Sequence, residues 1–316
     1  MSDPQPVPAP AVVTAPGGGA RTPSAPRRAV RTVMTDYFYL LPAMAVVLGI
    51  IYYSIGYTAW LSAQDWDGLS PDARFVGAGN FVQAFGDPMF WATLRHTAIF
   101  ALVIVVQMAL GLFFAVALHS RIPFGVVYKV ILFLPVVLSP AVTAPVFRRI
   151  FDANGTLNGV LDAVGLDALM HPWLADPSTS LYVLMLVNIW HWTGLSFMLY
   201  FAGITQIDDD VIEAGRIDGT TNATSFWFIV LPMLSGTHLT LAILGVIGAF
   251  KTFDIVVLIT GGGPAGSSEF LSTYIYKQGI LQFDMGYASA LSIILLVISI
   301  CIAIFQTRIQ RRKGHA

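Results

Sequence analysis

The chain predicts an all-α integral membrane protein, and three observations lead there. Apolar residues make up 56% of it and charged residues only 11%, against about 25% charged in a soluble domain. Its mean hydropathy is +0.71, and long apolar runs recur over most of its 316 residues. Between two of these runs lies a polar, acid-bearing stretch, EAGRIDGTTNATSFWFIVLP, from Glu213 to Pro232. In so apolar a chain, such a segment reads as a loop with a task.

Residues 1–36 are rich in Pro, Ala, Gly and Ser, with Arg21, Arg27, Arg28 and Arg31. Few large apolar side chains occur there, so a disordered basic tail is expected. The apolar stretch that follows is too long for a signal-peptide core and has no small-residue cleavage site. It reads as a first spanning helix. A span needs roughly 20 apolar residues. Six segments qualify: Tyr37–Ser62, Phe90–Leu118, Val126–Ile150, Leu181–Ile204, Gly236–Thr260 and Gly286–Gln306. Pro135, Pro140 and Pro145 predict a kinked or broken third span, which bundle neighbours tolerate in lipid. Tyr52, Tyr53, Trp60 and Trp66 suit the membrane interface. The organisation expected is therefore a tail over 1–36, a six-helix domain over 37–307 and a basic tail over 308–316.

Lysine and arginine set the orientation. The N-terminal arginines, Arg121 with Lys129, and Arg308, Arg311, Arg312 and Lys313 fall on one side if the spans number six. That side is the cytoplasm. The first external loop then holds Asp65, Asp67, Asp72 and Asp87 against Arg74. The second holds Asp152, Asp162, Asp167 and Asp176, with Arg148 and Arg149 at its membrane edge. The Glu213 loop lands in the cytoplasm with Asp208, Asp209, Asp210, Glu213 and Asp218 against Arg216 alone. Its acids point to a partner.

Other classes are excluded on chemistry. The net charge of −1 argues neither for nor against nucleic acid, but no basic stripe is present to hold one. Cys301 stands alone, so neither a disulfide framework nor a cysteine metal site forms within the chain. Gly261 to Gly263 lack the Gly-Lys-Ser/Thr of a phosphate loop and read as a tight external turn. The six histidines show no zinc-type pair. Ser139, His191 and His238 belong to no recognised hydrolase motif. The triplets beginning at Asn154 and Asn222 match the glycosylation pattern, which is common by chance.

The polar loop reads as helix, turn, helix. Val211 to Arg216 form the first arm. Asp218-Gly219 end it, because glycine adopts positive φ freely. The second arm runs from Asn222 to Val230, capped by Thr221 or Asn222, and Pro232 stops it before the fifth span. Such a unit suits insertion into a groove of a soluble partner, or it is a plain amphipathic connection. Within the spans, Lys251 and Asp254 stand three residues apart, on one face of the fifth helix. Charges in lipid face a bundle interior or an aqueous cavity. The pair therefore lines the solute path or forms a local ion pair that fixes packing. Asn188, Trp190, His191 and Trp192 form a polar-aromatic cluster in the fourth span, suited to sugar hydroxyls and C–H faces. Asn188 and Trp192 are four residues apart and share a face; ordinary bundle packing is the alternative. Arg95, beside His96, is expected to snorkel to the headgroups.

The loop, with Glu213-Ala214-Gly215, Asp218-Gly219 and Leu231-Pro232, resembles the coupling ("EAA") loop of ABC-importer permeases. Further motifs narrow the resemblance: Phe250-Lys251-Thr252-Phe253-Asp254, Leu258 to Pro264, Tyr274-Ile275-Tyr276 and Met285 to Ala290. Phe75 to Phe81 and Asn154 to Asn158 belong to the same pattern. Together they are similar to carbohydrate-importer permeases of the maltose and glycerol-phosphate type, over about Tyr37 to Arg308. Gly215 and Thr220 depart from it, since alanine is usual at both, and a glycine there loosens the docking helix. The resemblance implies a multi-pass subunit of a bacterial inner membrane with both termini cytoplasmic. It also implies a second homologous permease, a cytoplasmic ATPase dimer that binds the ATP and Mg, and an extracytoplasmic sugar-binding protein. The chain itself would hold no cofactor and catalyse nothing. An ion-coupled carrier needs no docking loop and commonly shows internal repeats, which are not evident here. A membrane-embedded enzyme is the other rival class.

Overall fold

A computed structural model describes Tyr39, residues 41–119 and residues 123–313. The expected N-terminal tail, Arg121, and the side chains of Arg311, Arg312 and Lys313 lie outside the described residues. The chain falls into two units, Met1–Ser54 and Ile55–Ala316. The described part of the first is the beginning of an apolar helix, Leu41–Leu61.

Among the described residues the fold is helical, with one short antiparallel hairpin pairing Gln64 with Phe75 and Asp65 with Arg74. Among the described residues, four helices are long and apolar enough to cross a membrane: Leu41–Leu61, Pro88–His119, Ser180–Thr205 and Met285–Arg308. Two bent pairs qualify only when taken together. Gly125–Val137 and Pro140–Ala163 meet at 97°, and Asn222–Met233 and Ser235–Lys251 at 61°. The number of spans is six if each bent pair crosses once. The third run breaks where the prolines predict. Val137 ends one helix, Leu138 is extended, and Ser139 caps the next with Pro140 in its first turn.

One helix over Gly236–Thr260, with Lys251 and Asp254 on one face, is not what forms. The helix ends at Lys251, Thr252 is extended, and a second short helix, Asp254–Ile259, begins. No Pro or Gly marks this break. The Thr252 carbonyl, freed from the helix ladder, accepts from the Ser272 hydroxyl, while Thr252 Oγ1 donates to Gly248 O. Asp254 takes the first position of the new helix, where an acid favours the dipole. The local ion pair is also absent: among the described residues, Lys277 pairs with Glu269, and His171 Nε2 lies 2.9 Å from Asp176 Oδ2.

Close helix contact sets the bundle. Residues Val103–His119 and Gly125–Val137 both pack along Ser180–Thr205. A Cβ at Gly194 would collide with the Leu132 carbonyl, and one at Gly111 would lie 2.6 Å from Ser196 Cβ. Lys129 stacks over the Phe201 ring at 3.8 Å. Phe197, Tyr200, Leu234 and Leu241 form one buried cluster, and Val103, Leu184, Val187 and Val256 belong to another.

The sequence motifs meet where the last helix begins. Asn80 Nδ2 donates to Ser62 O and Gln64 O at 2.9 and 2.8 Å. Gly286 donates to Trp66 O, and a Cβ there would collide with the Gln64 carbonyl. The Asp87 carboxylate caps the helix beginning at Pro88 and accepts from Tyr274 Oη and Tyr287 Oη at 2.6 and 2.7 Å. Burial, the largest single influence, pulls the Asp87 carboxyl upward, but hydrogen bonds from Tyr274, Tyr287 and the Met89 and Phe90 backbone together hold it below the usual carboxylate range. Asn158 is buried and holds the backbone of Ala153 and His171 and the Trp173 indole N–H.

Candidate functional site: a bundle cavity and a helical loop

A cavity of about 390 Å³ opens between Pro88–His119, Ser180–Thr205, Ser235–Lys251 and the broken elements beside them. Asn188, Trp192, Lys251 and Asp254, the four candidate pathway residues, all line it. Its volume lies in the range of small-molecule sites. The break at Thr252 and Phe253 is what brings Lys251 and Asp254 there on separate elements. Irregular backbone at membrane depth is tolerated where it lines a cavity, and both charged side chains are exposed. Trp192 is 41% exposed, while its neighbour His191 is buried at 4%.

Sequence reasoning missed Gln107, Thr143 and Ser196 on the same wall. Gln107 Nε2 donates to Asn188 Oδ1 at 2.7 Å and to Asn188 O at 3.0 Å. The available signal was a lone amide within the apolar run from Val103 to Leu118. Glu269 was also passed over. It is 2% exposed, pairs with Lys277, and gives its backbone carbonyl to His96 Nδ1. Gly262, at φ +84°, lies so close to the Glu269 carboxylate that a Cβ would collide with it. Gly261 and Gly262 thus form the expected tight turn.

The polar loop is helix, turn, helix. Asp208 caps the first arm, Asp209–Ile217, by accepting from Asp210 N–H. Gly219 takes φ +87°. Its N–H donates to Arg216 O, and the Thr220 N–H to Gly215 O, both at 3.0 Å. This is a Schellman closure, which only a residue content with positive φ completes without strain. Thr221 caps the second arm, accepting from Thr224 N–H. Pro232 does not stop that arm. It lies in the first turn of a short continuation to Met233, and the bend falls at Leu234. A π-turn just before it carries the Leu231 N–H to Phe226 O, so the wider register accommodates a residue that cannot donate. Gly215 is buried, and its Cβ would lie 2.6 Å from Ile229 Cδ1. The glycine therefore lets the arms approach closely, a use that helix propensity alone does not reveal. Glu213, Ala214 and Asp218 are exposed, as are Ile217 at 82% and Phe228 at 77%.

A bent-helix membrane bundle holding a largely apolar cavity with a few polar groups, together with an exposed acidic pair of helical arms, suits the membrane component of a transport protein. The family of binding-protein-dependent transport system inner membrane components matches residues 107–315, and this chain belongs to it. The probable ABC transporter permease protein YurN of Bacillus subtilis (strain 168) is 35% identical over 86% of this chain and 94% of its own length. The lactose transport system permease protein LacF of Rhizobium radiobacter is 30% identical, over 89% and 95%. The sn-glycerol-3-phosphate transport system permease protein UgpA of Agrobacterium fabrum is also 30% identical, over 88% and 95%. The fold matches a chain of a bacterial ABC transporter involved in the import of the acidic polysaccharide alginate, with a TM-score of 0.78 and 22% identity over 90% of this chain and 98% of that one.

Proposed function

We propose that the chain is the permease subunit of an ATP-driven importer for a carbohydrate, which reaches it from an extracytoplasmic binding protein. One observation carries the reading: the family match spans residues 107–315 and so takes in most of the cavity and the whole helical loop. Relatives named for lactose and glycerol phosphate support a hydroxyl-rich solute, as does a cavity that combines amides, a tryptophan face and unpaired charges. The subunit sits in a bacterial inner membrane with both termini in the cytoplasm. A second, homologous permease completes the pathway. A cytoplasmic ATPase dimer binds and hydrolyses ATP, which this chain does not.

The loop from 207 to 232 is the coupling element. Glu213 makes ionic contact with the ATPase, beside Ala214, Gly215 and Asp218. Gly219 sets the angle between the arms, and Leu231 and Pro232 join them to the bent span. The ATPase shifts the bundle between inward- and outward-open states only as far as its contacts with this loop differ between them. Asn188, Trp192, Lys251 and Asp254 contact the passing solute. The test is uptake of radiolabelled sugar into proteoliposomes holding the co-expressed complex. Uptake is expected to require both ATP and binding protein, and Asp254→Asn is expected to alter it without loss of assembly. Accumulation driven by an ion gradient alone would point to a secondary carrier.

A further inference from the structure

We propose that Gln107 is a positioning residue of the cavity, locking the Asn188 amide so that the wall offers the solute one fixed donor beside one fixed acceptor. The proposal rests on the cavity being the solute path.

Gln107 and Asn188 are 5% and 8% exposed. The Gln107 side chain touches the Asn188 backbone carbonyl, which can only accept, so its amide must present nitrogen there. The same nitrogen lies 2.7 Å from the Asn188 side chain, which must therefore present its oxygen. Chemistry thus dictates both amide orientations. Both Nε2 hydrogens are then committed. Gln107 Oε1 and Asn188 Nδ2 have no other hydrogen-bond partner among the described residues, yet neither is a sealed, unsatisfied atom. Both residues line the cavity, which gives those two atoms their outlet.

A polar atom in an apolar wall is costly until it is paired. A hydroxyl both donates and accepts, so two neighbouring hydroxyls satisfy Oε1 and Nδ2 together. A carboxylate or phosphate satisfies Nδ2 but sets an anion against Oε1. At this wall the cavity therefore selects a neutral vicinal diol over an anionic group.

The test uses the full complex in proteoliposomes, supplied with saturating loaded binding protein and radiolabelled lactose, maltose or raffinose. The readout is sugar moved per ATP hydrolysed. Gln107→Leu, Gln107→Asn and Asn188→Gln are each expected to lower it about tenfold, the factor to which about 1.4 kcal/mol of lost hydrogen bonding corresponds. Stimulation of ATP hydrolysis by the binding protein should persist. The exchanged double variant, Gln107→Asn with Asn188→Gln, keeps the summed side-chain length and should recover to within about threefold of wild type. A purely structural role predicts that sugar transport and stimulated hydrolysis fall together, and that result overturns the proposal. So does an assembled double variant that shows no recovery, even if Gln107→Leu fails to fold. If Trp192→Ala lowers sugar per ATP while the Gln107 variants do not, this proposal fails and the cavity stands. If neither does, the cavity reading fails.

Discussion

Replacing Gly219 isolates one physical effect in the proposed coupling loop. Its φ is +87°, and an added Cβ would meet nothing within 4 Å. Steric collision is therefore excluded, and only backbone strain remains. An ordinary L-residue in the left-handed region costs roughly 1–2 kcal/mol. The loss of unfolded-chain freedom on replacing glycine offsets roughly 0.4–1 kcal/mol where the backbone is compatible. The net effect of Gly219→Ala is then about 1 kcal/mol against the turn, or roughly a fivefold loss in the closed-to-open ratio. Asn visits this region more readily, and a β-branched residue least. The expected order of loop closure is Gly, Asn, Ala, Val. Hydrogen exchange at the Thr220 amide, which donates to Gly215 O, reads closure directly. ATP-dependent uptake should follow the same order, with Gly219→Asn near wild type and Gly219→Val several-fold lower. If Gly219→Val protects Thr220 and transports as well as wild type, the Schellman closure is not what sets the loop.

Two further outcomes are expected. Gly286→Ala drives a methyl into the Gln64 carbonyl, and overpacking of this kind costs about 1–3 kcal/mol; a clearly lower melting midpoint of the solubilised complex checks it. Asp87 has a depressed pKa, so its tyrosine contacts stabilise the fold above the unfolded value of about 3.9. That contribution is lost as pH falls through the lower folded value. Wild type should therefore lose stability in that acid window, while Asp87→Asn should start lower at neutral pH and change less across it.

What was legible in the sequence was what local chemistry decides. Hydropathy located the apolar runs, Pro135 and Pro140 marked the broken third run, and Gly219 and Thr221 marked the turn and the cap of the loop. The break after Lys251 was illegible because Lys251-Thr252-Phe253-Asp254 contains no helix breaker; its carbonyl is satisfied by Ser272, 20 residues away. Pro232 misled for the complementary reason, since a π-turn ahead of it makes room for it. Of the cavity wall, Asn188 and Trp192 were found by their spacing on one helix. Gln107 was not, because its meaning lies in an amide 81 positions along the chain. Gly215 looked like a weakness by propensity and proves to be a contact point with Ile229.

The central claim is that this subunit couples to an ATPase through the exposed acidic arm bearing Glu213. The most direct measurement is an affinity pull-down of the tagged chain, co-expressed with the products of its neighbouring genes, for wild type and Glu213→Lys. The account predicts that a soluble ATPase co-purifies with wild type and is depleted in the variant, while membrane insertion is unchanged. A folded wild-type chain that retains no ATPase, or a variant that retains it equally and still imports, would contradict it.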